Sequence, residues 1–163
     1  MKHLRLSVTV GISGFLAAVS LFTLLHPEKA AASDSLGGAS YVTTIKDSTG
    51  KFASRGVITL HADHTMSVID SGQGGPAFFF SSQLGSWKAK RNGEVVAKTI
   101  DFDFPPNQDV ARLDYTLKFN QGGNQVTGTI TLTTFPLETG NPFDGGGGTV
   151  VGTFTVVGEL VKP

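Results

Sequence analysis

Two histidines and an aspartate, all side chains that commonly bind metals, stand close together in the stretch LHADHT. His61 and Asp63 are two residues apart, so they share a face on an extended strand, and His64 follows directly. A zinc site needs three or four ligands, and the chain has no cysteine to complete one. A hairpin turn needs fewer assumptions, because Asp63-His64 takes the place of an Asp-Gly turn and histidine tolerates positive φ. We therefore predict a turn and no metal site.

A pair of acidic side chains lies in the stretch TIDFDFPP. Asp101 and Asp103 share one face of an extended strand, which would suit acid–base chemistry or calcium binding through oxygen ligands. The opposite face carries Ile100, Phe102 and Phe104. Because the apolar face is expected to form the core, we interpret both aspartates as solvent-facing residues.

The stretch GGPAFFFSSQLGSW gives the strongest indication of ligand binding. Its three consecutive phenylalanines cannot all share one face of a strand. At least one is expected to point away from the core or to line the mouth of a barrel, where aromatic rings suit an apolar ligand. The alternative is a folded loop that plugs the barrel end, which Phe143 would reach from the long connection 136–148. The candidate ligand-binding residues are Phe78, Phe79, Phe80, Trp87, Tyr115 and Phe143.

The elements that must hold these residues are β-strands. Runs rich in Val, Ile, Thr and Phe alternate with segments rich in Gly, Asn, Asp and Pro, and no convincing amphipathic helix follows the N-terminal segment. Asn92-Gly93 is the clearest hairpin turn. Eight strands are predicted, at about 39–46, 52–62, 65–71, 84–91, 94–104, 110–119, 125–135 and 149–161.

Eight consecutive strands joined mostly by short turns leave two exposed edges unless the sheet closes. Closure into an up-and-down barrel removes both edges, whereas a β-sandwich, the alternative, usually needs longer crossing connections. We therefore predict an all-β fold, an eight-stranded antiparallel up-and-down barrel. Its interior would be filled by side chains or would hold one small ligand.

A hairpin with an acidic turn, followed by a glycine-rich loop and a Gly-x-Trp segment, resembles the pattern of small calycin-like barrels. That group includes the lipocalins, the avidins and the allene oxide cyclase barrels; the matching residues are ADHT (62–65) and LGSW (84–87). Lipocalins carry Gly-x-Trp on the first strand, whereas Gly85 and Trp87 fall on the fourth, so the resemblance concerns architecture alone. An allene oxide cyclase-like enzyme would need an interior polar group. Asp70 is the candidate, because alternation along the strand places it on the same face as Met66 and Val68.

The first 32 residues have the layout of a secretory signal. A basic start precedes the uncharged stretch Leu6–Leu25, and Ala30 and Ala32 stand before a predicted cleavage site at Ser33. An uncleaved membrane anchor is the alternative, since 20 uncharged residues could span a bilayer. We predict a secreted or periplasmic protein, with a signal peptide at 1–32, a flexible leader at 33–38 and a single β-barrel domain at 39–163.

Composition argues against several classes of function. Removal of residues 1–32 takes away three basic residues and one acidic residue, which leaves a formal charge of −2. Such a surface does not favour nucleic acid or anionic membranes, and we predict no stable membrane association after signal cleavage. Without cysteine there is no thiolate metal site and no cysteine nucleophile. No serine–histidine triad can be assembled, so no catalytic residue and no cofactor is assigned.

Three functional hypotheses follow. The first is non-catalytic binding of a small apolar molecule in the barrel or at its mouth. The second is a cyclase or isomerase-type enzyme that shelters an apolar substrate. The third is a structural or interaction protein with a filled barrel. A cavity lined only by carbon favours the first, a cavity with a buried carboxylate favours the second, and a solid interior favours the third.

Overall fold

The computed structural model describes residues 36–74, 79–138, 141–143 and 147–163, which form eight β-strands and one short 3₁₀ turn. The strands are β1 Ala39–Lys46, β2 Phe52–Leu60, β3 Thr65–Asp70, β4 Gln83–Ala89, β5 Glu94–Phe102, β6 Asp109–Phe119, β7 Gln125–Pro136 and β8 Thr149–Leu160. Every predicted strand is present, and each boundary lies within about two residues of its predicted position.

The strands pair in chain order and close into one barrel. Each strand is antiparallel to the next, and β1 pairs with β8 from Tyr41 opposite Leu160 to Lys46 opposite Thr155. Closure gives the backbone groups of both terminal strands a partner, which removes the edges that an open sheet would expose. The predicted eight-stranded antiparallel barrel is confirmed.

The connections divide between the two ends of the barrel. The turns after β2, β4 and β6 are short, and they share one end, the short-turn end, with the beginning of β1 and the end of β8. The connections after β3, β5 and β7 span residues 71–82, 103–108 and 137–148. They leave from the opposite end, the long-loop end, which is therefore where irregular segments meet the barrel interior.

Apolar side chains fill the interior toward the short-turn end. The ring of Tyr41 lies against Phe119 with 5.1 Å between centroids, and its hydroxyl donates a hydrogen bond to the Gly123 carbonyl at 2.7 Å. Leu36, within the stretch that we interpret from the sequence as a leader, is buried in the same cluster. The fully buried apolar side chains are Tyr41, Ile58, Leu60, Met66, Val68, Val95, Leu117, Val126, Ile130 and Val156. Each such aliphatic side chain contributes about 1.5–3 kcal/mol, so this cluster holds the barrel together.

Strand β5 faces the opposite way from the prediction. Alternation favours the face with Ile100 and Phe102 as the core, yet Phe102 is 46% exposed and Phe104 is 51% exposed. Thr99 and Asp101 are instead buried, at 0% and 4% exposed. The interpretation of Asp101 as a solvent-facing residue is therefore wrong.

The hairpin turn between β4 and β5 explains this orientation. Asn92 and Gly93 both have positive φ, 61° and 70°, as the sequence predicts for this turn. The turn sets a register in which Trp87 lies opposite Ala97. Directly paired residues project from the same side of a sheet, so Trp87 in the core brings Ala97 inward. Asp101, four residues further along the strand, shares that side.

Candidate functional site

The histidine stretch forms the turn between β2 and β3, as predicted. His64 has a φ of 66°, and Asp63 Oδ1 accepts hydrogen bonds from the hydroxyl and amide of Thr65 at 2.6 and 3.0 Å. These two bonds hold the pKa of the Asp63 carboxyl below its usual value. The His64 ring lies 4.7 Å from that of Trp87, whose indole donates to the His61 carbonyl at 3.0 Å. The stretch thus closes the short-turn end, and the described residues contain no group of three acidic, histidine or cysteine side chains able to hold a metal.

Phe79 and Phe80 belong to the long-loop end, and Phe78 lies outside the described residues. Phe79 is 48% exposed. Phe80 is half-buried and forms an isolated antiparallel bridge with Asp103, which attaches this segment to the end of β5. The ring of Phe80 lies against Gly72, so that a side-chain carbon placed on Gly72 would be 3.5 Å from its Cζ atom. Phe79 and Phe80 therefore lie beside the barrel mouth.

The other three candidate ligand-binding residues border a groove on the outer wall, with a volume of about 450 Å³. Trp87 and Tyr115 border it although their side chains are buried in the core. Phe143 is 40% exposed and lines the groove, rather than the barrel end at which the sequence predicts it. Arg112 holds this connection in place, because its Nη1 donates to the Pro142 carbonyl at 2.7 Å. The structure thus does not bring together the five candidates that it describes.

Polar side chains line the half of the interior nearest the long-loop end. Gln83, the first residue of β4, is buried, and its Oε1 accepts hydrogen bonds from the Tyr115 hydroxyl at 2.5 Å and from the Thr99 hydroxyl at 2.9 Å. Burial raises the pKa of the Tyr115 hydroxyl, which therefore keeps its proton at neutral pH. One amide oxygen thereby links β4, β5 and β6. The sequence does not predict a role for Gln83, because the predicted strand begins one residue later.

Asp101 lies in this polar half, and one of its carboxyl oxygens lacks a partner. The residue is 4% exposed, and its Oδ1 has no hydrogen bond to any residue that the structure describes. Burial, and after it the neighbouring Asp103 and Asp70, raise the pKa of Asp101 to about 7. A buried polar atom without a partner costs about 1–3 kcal/mol, so its presence calls for an explanation.

Two further carboxyl groups accompany Asp101 at the long-loop end. Asp70 shares the interior face of β3 with Met66 and Val68, as parity predicts, and its two oxygens accept hydrogen bonds from the Ser54 hydroxyl at 2.8 Å and the Gly72 amide at 2.7 Å. Asp103 is half-buried, and burial, together with Asp109, raises its pKa. We define the acidic mouth as Asp70, Asp101 and Asp103.

The acidic mouth has no countercharge among the residues that the structure describes. Their ion pairs are Lys90–Glu94, Lys98–Asp114 and Arg112–Asp114. None of these includes a carboxyl group of the acidic mouth, so its charge is balanced only by protonation and by hydrogen bonds.

In comparisons with known proteins, no family model, no curated protein and no solved structure matches this chain. Across the described ranges, no helix has the length and apolar character needed to cross a membrane. The chemistry of the site itself therefore carries the functional assignment.

Proposed function

We propose that the protein binds one small molecule at the long-loop end of the barrel and performs no chemical step on it. The unpartnered Oδ1 of Asp101 carries this proposal. A ligand with a hydrogen-bond donor would give this atom the partner that the described residues do not supply. Phe79 and Phe80, beside the same mouth, are available for contact with the apolar part of such a ligand.

The packed half of the barrel favours a ligand at the mouth over one deep in the interior. Leu60, Val95 and Leu117 are each 0% exposed and belong to one continuous cluster. A deeply inserted ligand would have to displace such side chains, at a cost of about 1.5–3 kcal/mol for each one. The proposed site is thus the barrel mouth, one of the two places expected from the sequence. The proposed ligand has a polar group as well as an apolar part.

One observation favours a second function, an isomerase or cyclase-type enzyme. With its pKa raised to about 7, the carboxyl of Asp101 is half protonated near neutral pH, which suits transfer of a proton to and from a substrate. Binding ranks first because the adjacent ionisable hydroxyl, that of Tyr115, has a raised pKa and is unsuited to exchange protons at neutral pH.

Native mass spectrometry of the protein purified from its own host tests the proposal. Wild-type protein should carry a co-purifying small molecule, and Asp101→Asn should carry much less of it. Asp114→Asn is the matched control, because the Asp114 carboxylate pairs with lysine and arginine on the outer wall and should leave occupancy unchanged. Bare polypeptide from the wild type would contradict the proposal. Conversion of the recovered molecule by wild type, but not by Asp101→Asn, would favour the enzyme.

A further inference from the structure

We propose that the ligand of the acidic mouth is an organic cation, an amine or guanidine with a short apolar body. This inference rests on the proposed function and names the chemical class of its ligand. It follows from three carboxyl groups brought together at one barrel end, one of them 4% exposed with an oxygen that no described residue contacts through a hydrogen bond.

The groups around Asp101 are acidic or neutral on every packed element. Asp70 and Asp103 are its charged neighbours, and Asp109 in turn acts on Asp103. Asp101 and Asp103 are faced by Asp70 on β3, by Gln83 on β4, and by Asp109 and Tyr115 on β6. The interior positions of β1, β2, β7 and β8 near this end are uncharged, namely Thr43, Ile45, Ser54, Gly56, Leu132, Thr134, Gly152 and Phe154. Arg55 on β2 lines an outer pocket together with Asp70 but forms no ion pair with it, so a bound cation would supply the ion pair that the described residues do not give the acidic mouth.

The basic side chains of the adjoining strands are on the outer wall. Lys98 on β5 pairs with Asp114 at 3.3 Å, and the Nε of Arg112 on β6 pairs with the same carboxylate at 2.9 Å. Lys88 borders the outer groove. Lys98 and Arg112 thus share one outer carboxylate, and none of these three cations pairs with an interior one. Because a buried charge without a counterion is costly, a cationic ligand gains more from this environment than a neutral ligand of the same shape.

Phe80 supplies the aromatic surface that organic cations favour. A side-chain carbon placed on Gly72 would lie 3.1 Å from Asp70 Oδ1 and 3.5 Å from Phe80 Cζ. The carboxylate and the ring therefore lie close together beside Gly72, with too little room between them for an added carbon. A ligand cation at the mouth would meet this carboxylate and this ring as neighbours.

A metal ion fits the acidic mouth less well than an organic cation. The described residues form no group of three acidic, histidine or cysteine side chains with metal-site geometry. Both oxygens of Asp70 already accept hydrogen bonds, from Ser54 and Gly72. An amine needs only one or two hydrogen-bond acceptors along its N–H bonds. The Oδ1 of Asp101, which has no partner among the described residues, can be one of them.

Titration of the protein with three probes of matched shape tests this inference. Pentylamine, pentan-1-ol and pentanoate are added separately at pH 8, and backbone amide resonances are followed by NMR. Pentylamine should shift the resonances of Asp70, Gln83 and Asp101, and should bind at least tenfold more tightly than pentan-1-ol. Asp101→Asn should weaken the binding of pentylamine at least tenfold while the spectrum remains that of a folded protein. Asp114→Asn should leave the affinity for pentylamine unchanged.

The outcomes separate this inference from the proposed function. If pentan-1-ol binds at the mouth as tightly as pentylamine, the small-molecule site stands and the cationic class is wrong. If pentanoate binds best, or if none of the probes shifts the mouth resonances, the cationic class is also wrong, and the mass-spectrometry experiment decides the proposed function alone. Displacement of pentylamine by equimolar calcium chloride would likewise overturn the inference, in favour of a metal.

Discussion

Replacement of Asp101 by asparagine is expected to stabilise the protein relative to wild type in alkaline solution and to destabilise it modestly in acid. The pKa of Asp101 is raised from 3.8 to about 7, chiefly by burial and then by Asp103 and Asp70. In the unfolded chain the carboxyl titrates near its ordinary value, so between about pH 4 and 7 the folded protein holds a proton that the unfolded chain has released. The contribution of Asp101 to stability is therefore greatest below about pH 4, falls through this window and is lowest above about pH 7.

The magnitude follows from the span between the two pKa values. At about 1.4 kcal/mol for each pH unit, the rise from 3.8 to about 7 corresponds to about 4 kcal/mol of unfolding free energy. Asp101 is 4% exposed, so solvent screening reduces this value little. Asparagine removes the charge but introduces a buried amide, which costs about 1–3 kcal/mol if its donors find no partner. The net gain expected at pH 8 is about 1–3 kcal/mol.

Urea unfolding followed by tryptophan fluorescence measures this effect. Trp87 is the single tryptophan of the chain and is buried, so its emission reports on loss of the core. The difference in unfolding free energy between Asp101→Asn and wild type should grow from pH 4 to pH 8. Asp114→Asn should show no such growth, because its carboxylate already pairs with Lys98 and Arg112 on the outer wall.

A difference in unfolding free energy that stays constant from pH 4 to pH 8 would contradict the raised pKa of Asp101. The same holds if the unfolding free energy of Asp101→Asn falls further below that of wild type as the pH rises. Either result would mean that the Asp101 carboxyl is no less favourable when charged in the folded protein than in the unfolded chain.

Leu117→Ala should lower the unfolding free energy by about 2–5 kcal/mol, because Leu117 is 0% exposed, whereas Leu84→Ala, at a residue 64% exposed, should change it by less than about 0.5 kcal/mol. Equal losses in urea unfolding would contradict the placement of the core. Tyr115→Phe should cost about 0.5–1.5 kcal/mol by removing the hydrogen bond to Gln83, and full wild-type stability would show that this bond contributes nothing. Pentylamine should bind more weakly as the pH falls from 8 to 5, since protonation of Asp101 removes its charge; a pH-independent dissociation constant in calorimetry would argue against an ionic contact.

The strands and their closure were predictable because the signals are local. Alternation marks each strand, and the turn residues mark the hairpins: His64 and Asn92 both adopt the positive φ expected of their types. Closure then follows from the need to pair both end strands, which the contact from Tyr41 to Leu160 satisfies.

The buried position of Asp101 was not predicted, because alternation defines two faces without identifying the inner one. The more apolar face of β5, with Ile100 and Phe102, looked like the core, but strand register decides the orientation. A two-residue turn at Asn92-Gly93 would pair Trp87 with Lys98, whereas the observed three-residue loop Arg91–Gly93 pairs Trp87 with Ala97 and turns Asp101 inward. A difference of one residue in loop length exchanges the two faces of the strand, and the Asn-Gly pair alone does not determine that length.

The aromatic candidates were selected by residue type, and type does not determine depth or loop path. Trp87 and Tyr115 lie in the barrel core, where large rings fill the space between strands. Phe143 lies in a long connection whose course depends on Arg112, a tertiary contact across about 30 residues of chain. Sequence periodicity contains no information on such a contact.

The most direct test of this account is the pKa of Asp101 itself, measured by NMR titration of its side-chain carboxyl carbon in the folded, ligand-free protein. We expect a midpoint of about 7, well above the ordinary value of 3.8. A midpoint at or below about 4 would show that the carboxyl is solvated or paired, and would contradict an interior acidic site at the long-loop end.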